Sequence, residues 1–119
     1  MANITPTAIN NAGNELAWAA SAPAGDVIIY RGGTLVVEFQ NGHSSSITVS
    51  AAPTRTTAQV EGVGKVDVPT RSLVLAAGEP GIFVFTPDEI SAYRNAAGNL
   101  PIAYASGNAA LTVRAFTIN

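Results

Sequence analysis

The chain has no cysteine, and in 119 residues it has one histidine, one lysine, one tryptophan and one methionine. The missing cysteines exclude disulfides, thiol nucleophiles and thiolate metal sites. With a single imidazole, any Ser–His–Asp arrangement would have to use His43. Ser44, Ser45 and Ser46 follow it directly, but the strained Gly-x-Ser-x-Gly elbow of serine hydrolases is absent. Charge is scarce too. Asp, Glu, Lys and Arg make up 12% of the chain, about half the usual ~25%. Much of the surface is therefore Ala, Thr, Ser, Asn and Gly, which is cheap to cover with protein because little charge must be desolvated.

The charge that exists is spread out. Arg31, Arg55, Lys65, Arg71, Arg94 and Arg114 stand singly, and the net charge is −2. No basic patch is present to hold nucleic acid, and no polybasic run to hold a membrane surface. No apolar run approaches the ~20 residues of a membrane helix. The opening residues, Met1 to Pro6, lack the basic start and apolar core of a signal peptide. The expectation is a product made in the cytoplasm, with neither nucleic acid nor membrane as a partner.

What the chain has in quantity is alternation. Leu35, Val37 and Phe39 share one face of a strand over 34–40, and Glu38 and Gln40 the other. Similar short runs are expected at 15–20, with Leu16 and Trp18 alike, and at 27–30, 46–51, 72–76, 81–85, 100–105 and 109–118. One or two weak strands fall within 58–68, with Val66 and Val68 facing alike. Asn41-Gly42 is a strong hairpin signal and predicts that 34–40 pairs with 46–51. Ser106-Gly107-Asn108 predicts a second antiparallel pair between 100–105 and 109–118. The stretch 81–85 is apolar on both faces, so it is either central in a sheet or covered by an interface. Thr86-Pro87-Asp88-Glu89 is a capping box with proline at the first helical position, predicting a short helix near 87–94. These elements predict one all-β domain at 14–119. It is a β-sandwich or a jelly-roll-like or barrel form, with about seven to nine antiparallel strands at the spacing typical of such folds. Residues 1–13 read as an extended arm ending in the turn-like Asn10-Asn11-Ala12-Gly13. The arm is expected to be tied to its own domain or to a neighbour.

The search for chemistry returns little. Asp88 and Glu89 are explained by helix capping, and no calcium loop of the Asp-x-Asp-x-Asp-Gly kind exists. Gly32-Gly33 and Gly62-x-Gly64 lack the context of a phosphate loop. No catalytic, metal or cofactor residue is assigned, and the chain is read as no enzyme. Most aromatics fall on apolar strand faces, where they build a core. Tyr30 departs from this, because it ends the run Val27-Ile28-Ile29 beside Arg31, and Tyr and Arg are favoured at the centres of interfaces. The candidate interface residues are Ile4 and Ile9 in the arm, then Val27, Ile28, Ile29, Tyr30 and Arg31.

From Gly33 onward the chain resembles the head decoration, or cement, proteins of tailed phages. The resemblance rests on Gly33-Thr34-Leu35-Val36-Val37 leading to Asn41-Gly42, then Ile47-Thr48-Val49, Lys65-Val66-Asp67-Val68-Pro69 and Gly81-Ile82-Phe83. Tyr93-Arg94-Asn95, Ala97-Gly98-Asn99-Leu100-Pro101 and Leu111-Thr112-Val113-Arg114-Ala115 follow, with an alanine-rich opening around 16–22. It covers about residues 14–118. Two features depart from the pattern: the apolar run 27–30, and the added Glu79-Pro80. The resemblance implies a virion protein on the capsid surface that binds and clamps the major capsid protein, as a homo-oligomer with a trimer favoured. It implies no cofactor. Other readings remain open: a β domain of a neck, tail or fibre base, or a carbohydrate-binding, adhesin-like sandwich for which Trp18 and Tyr30 are the candidate aromatics.

Overall fold

The computed structural model describes residues 2–9, 13–14, 16–54, 57–60, 62 and 64–118, with the backbone alone at 2, 57–60 and 64–67. Two mixed sheets pack face to face as a β-sandwich. The described residues form twelve strands: β1 Ala2–Ile4, β2 Thr7–Ala8, β3 Ala19–Ala20, β4 Asp26–Ile28, β5 Thr34–Asn41, β6 Ile47–Ala51, β7 Thr57–Val60, β8 Gly64–Asp67, β9 Arg71–Leu75, β10 Pro80–Phe85, β11 Leu100–Ala105 and β12 Leu111–Ile118. One helical turn, α1 Pro87–Ile90, follows β10. The first sheet has the order β1-β4-β11-β6-β9, and the second β10-β5-β12-β2, with β3 also on β12. β7 and β8 pair only with each other, as a separate hairpin.

The expected alternation is realised. In β12, Leu111, Val113, Ala115 and Thr117 are buried and their neighbours are not. β5 lies between β10 and β12, and five of its eight residues are correspondingly buried. The inner faces enclose Ile28, Leu35, Val37, Phe39, Ile47, Val49, Phe85, Leu100, Ile102, Leu111 and Val113. Phe39 meets Phe83 and Tyr104 edge to face, at centroid distances of 5.8 and 6.5 Å, the geometry that ring quadrupoles favour. The helix starts as its sequence predicts. The Thr86 side chain accepts from the Glu89 amide, and the Glu89 carboxylate accepts from the Thr86 amide. The helix itself is shorter than expected, with Ser91 already its C-cap.

Several pairings differ from the sequence reading. β5 does not pair with β6, nor β11 with β12. In each case the short connection crosses from one sheet to the other. An Asn-Gly hairpin of type I′ needs positive φ at both residues. Neither Asn41 nor Gly42 has it. Asn41 instead points inward and is fully buried. Its amide nitrogen donates to the carbonyls of Ser45, Leu75 and Ala76 at 3.0, 2.8 and 3.2 Å, and its Oδ1 accepts from the His43 amide. At the other corner Ser106 has φ 60°, and Gly107 lies so close to the 21–25 loop that a Cβ would sit 2.6 Å from the Pro23 carbonyl oxygen. The stretch 81–85 is an edge strand rather than a central one. The strand expected over 15–20 is confined to Ala19–Ala20. Asn10 to Ala12, Glu15 and the Val66 side chain lie outside the described residues.

The arm is part of the fold. β1 pairs in parallel with β4 of the first sheet, and β2 in parallel with β12 of the second. The antiparallel-only expectation is thereby corrected. The Ile29 amide donates to the Ile4 carbonyl, and the Ile9 amide to the Thr117 carbonyl. One short segment thus closes the side of the sandwich opposite β9 and β10.

One buried carboxylate anchors the first sheet. Asp26 is fully buried, accepts the Ala22 amide at 3.3 Å, and accepts the Tyr104 hydroxyl at 2.5 Å. Burial first, and the Asp26 carboxylate second, push the Tyr104 hydroxyl well above its ordinary value. The folded protein therefore keeps a proton that unfolded tyrosine releases near ~pH 10. Above that pH the folded state binds more protons than the unfolded one, so stability falls as pH rises. Tyr104→Phe should cost ~1–3 kcal/mol at pH 7, because a buried carboxylate loses a donor. The variant should also lose stability less steeply than the parent between pH 10 and 11. Urea unfolding at both pH values measures each effect.

Candidate interaction surface

The two outer faces of the sandwich differ. Outward residues of the first sheet include Thr48, Ser50, Ser72, Ala103 and Ala105, with Val74 the single large apolar side chain exposed there. The second sheet turns out a contiguous apolar group. Register places Val84 of β10 beside Val36 of β5, and Val36 beside Phe116 of β12; Ile82 faces Glu38, and Glu38 faces Arg114. Ile118 follows Phe116 on the same face. Ile82 is 52%, Val84 44% and Ile118 50% exposed. Val36 is covered by its neighbours at 5% exposure. The alternation that fills the core with Phe83 and Phe85 thus leaves aliphatic side chains outside as well.

Bordering the Val84–Val36–Phe116 row on this face is a self-neutralised charge pair. Arg114 Nη2 donates to Glu38 Oε2 at 3.1 Å, and the Trp18 ring lies over the guanidinium at 4.2 Å. A half-exposed pair of this kind adds little stability, ~0–1 kcal/mol. It does fix both side chains, so a partner covering the face strands no single charge. An arginine and an aromatic side chain bordering an aliphatic row are residue types favoured at strongly contributing interface positions.

The edge beside this face is blunted. Pro80 brings no N–H to β10. Arg71 donates to the Val84 carbonyl at 2.6 Å and to Glu89, and stacks over Phe85 at 4.3 Å. The hydrogen bond with the Thr86 side chain, then that with Arg71, holds the Glu89 carboxyl below its ordinary value. Edges guarded in this way resist strand addition. The outer face of the sheet is more open than this edge.

The sequence-derived interface residues are only partly brought together. Ile28 is fully buried and belongs to the core, which leaves it no surface to offer a partner. Ile4 is half-buried against that core, and Ile9 is half-buried beside the end of β12. Val27 and Ile29 are half-buried in and just after β4, and Arg31 is exposed. The Tyr30 hydroxyl donates to the Gly33 carbonyl at 2.9 Å, its amide donates to Asn99 Oδ1, and its ring packs on the core beneath Arg94. Tyr30 is half-buried, with its hydroxyl and its ring both engaged within the fold. Ile82, Val84, Trp18, Glu38 and Arg114 carry little in the sequence that marks them as interface residues. The one signal was the two-sided apolarity of 81–85. His43 is half-buried in the β5–β6 crossing. Among the described residues no three His, Asp or Glu side chains gather as metal ligands. No family model matches the chain, and no curated protein or solved structure matches it.

Proposed function

We propose that this chain is a structural virion protein that binds the outer surface of a phage capsid and holds neighbouring major capsid subunits together. The observation that carries this reading is the outer face of the second sheet, where Ile82, Val84 and Ile118 are about half exposed around the Glu38–Arg114–Trp18 stack. Large apolar groups gathered on one rigid face mark a place for another protein. The low charge of the chain and the resemblance in its strand-and-turn order agree with a capsid surface as that protein. In this reading the copies form a homo-oligomer, a trimer about a local threefold axis, and each subunit presents its second sheet to the lattice. A modest patch suffices, because many copies act on one shell and binding at several points multiplies the affinity of each. The test is co-sedimentation of the purified chain with expanded capsids that lack it. Saturable binding, with a rise in the temperature at which particles break, is the expected result. A chain that stays in the supernatant at tens of micromolar would overturn the reading.

A further inference from the structure

The free edge of β12 has a gap. β3 pairs with it antiparallel at Thr112–Val113, and β2 pairs with it in parallel at Phe116–Thr117. The two short strands run in opposite directions and do not merge, so Arg114 and Ala115 have neither beside them. A cleft of about 290 Å³ opens there, with Asn3, Thr5 and Thr7 on one wall, Ala17 and Ala19 on another, and Arg114 among its lining. We propose that this cleft binds a neutral saccharide of one or two rings.

The volume lies at the small end of ligand sites, which suits one sugar ring and part of a second. Among the described residues the polar lining is uncharged apart from Arg114. Asn3 and Thr5 are exposed and Thr7 is half-buried. Their side chains make no hydrogen bond to another described residue. Hydroxyl and amide groups both donate and accept, as sugar hydroxyls do. The charge balance selects against anions, because Arg114 is already held by Glu38 at 3.1 Å. With that carboxylate already neutralising the guanidinium, an anionic ligand gains little net attraction there. Arg114 also has an Nε–H that is buried without an acceptor among the described residues, so the guanidinium keeps an unused donor beside the Glu38 pair. Trp18, between Ala17 and Ala19 in the chain, is stacked on Arg114 and 41% exposed. The negative face of an indole suits the C–H face of a sugar ring. Trp18 lies beside the cleft rather than in its wall, with part of its ring taken by Arg114 and part open to solvent.

Trp18 is the sole tryptophan, so its emission reports binding beside the cleft directly. The protein is titrated with methyl glucoside, methyl galactoside, methyl mannoside and N-acetylglucosamine, and with the same sugars bearing a sulfate. At least one neutral sugar should give a saturable change with Kd of ~0.1–10 mM, the range a few hydrogen bonds and one stacked ring support. Thr7→Val removes a hydroxyl while keeping the shape of the side chain, and should weaken binding at least ~5-fold with an unchanged circular dichroism spectrum. Trp18→Phe, followed by calorimetry, should weaken it as well. Absence of saturation with every sugar, binding of the sulfated sugars alone, or equal affinity in both variants would each overturn the proposal. The titration needs no capsid, so its result is independent of the lattice reading.

Discussion

Replacing Ile82 and Val84 together by lysine should leave the domain folded and abolish its attachment to capsids. Both side chains are about half exposed on β10, and surface changes of this kind usually move stability by less than ~0.5 kcal/mol. Lysine is the better choice than aspartate for a physical reason. Ile82 faces Glu38 across the strand pair, where a cation is favourable and a second carboxylate is not. Lysine on an edge strand also discourages sheet-to-sheet association. In the bound state, by contrast, two ammonium groups would have to be desolvated where two aliphatic groups were buried. Losing the aliphatic burial alone costs ~1–2 kcal/mol per side chain, and desolvating the charges adds to it. The expected loss is at least ~100-fold in Kd, read by co-sedimentation beside an unchanged melting curve. Unaltered binding by this variant would remove the second sheet from the account.

The second large effect concerns Asn41. Its amide group feeds three carbonyls, and its Oδ1 takes the His43 amide. The residue is fully buried where the chain leaves the second sheet for the first. Asn41→Ala should destabilise by ~3–5 kcal/mol, since several buried polar groups lose partners at ~1–3 kcal/mol each. Asn41→Asp has the same shape and should be worse at pH 7. A carboxylate donates nothing to the three carbonyls, and it brings a buried charge without a counterion. Denaturant unfolding of the three proteins measures the order. An Asn41→Asp protein as stable as the parent would mean that the corner is held by something else.

Asn41 also shows how far the sequence reaches. Alternation located most of the long strands, because a half-buried strand has to alternate, and the capping box located the helix start. Partners were another matter. Asn-Gly encodes permission for a tight turn, not the requirement for one, and here the asparagine serves the interior. Ser106-Gly107-Asn108 likewise reads as a hairpin and is a crossing, because the neighbouring Pro23 loop fixes its course. Pairings between distant strands depend on which apolar faces fit, and local spacing carries no record of that. The short parallel strands of the opening segment were invisible for the same reason. The surface was legible in one place alone, the double apolarity of 81–85. Trp18, Glu38 and Arg114 come from separate parts of the chain, and only the register of β5 with β12 brings the charged pair together. Tyr30 drew attention by breaking the alternation, and it does so to reach Gly33 within its own loop.

The most direct measurement is the copy number of this chain in purified particles of the virus that encodes it, by quantitative mass spectrometry scaled to the major capsid protein. The account expects an abundance in fixed, near-stoichiometric proportion to the capsid lattice. A dozen copies per particle, or none, would contradict it.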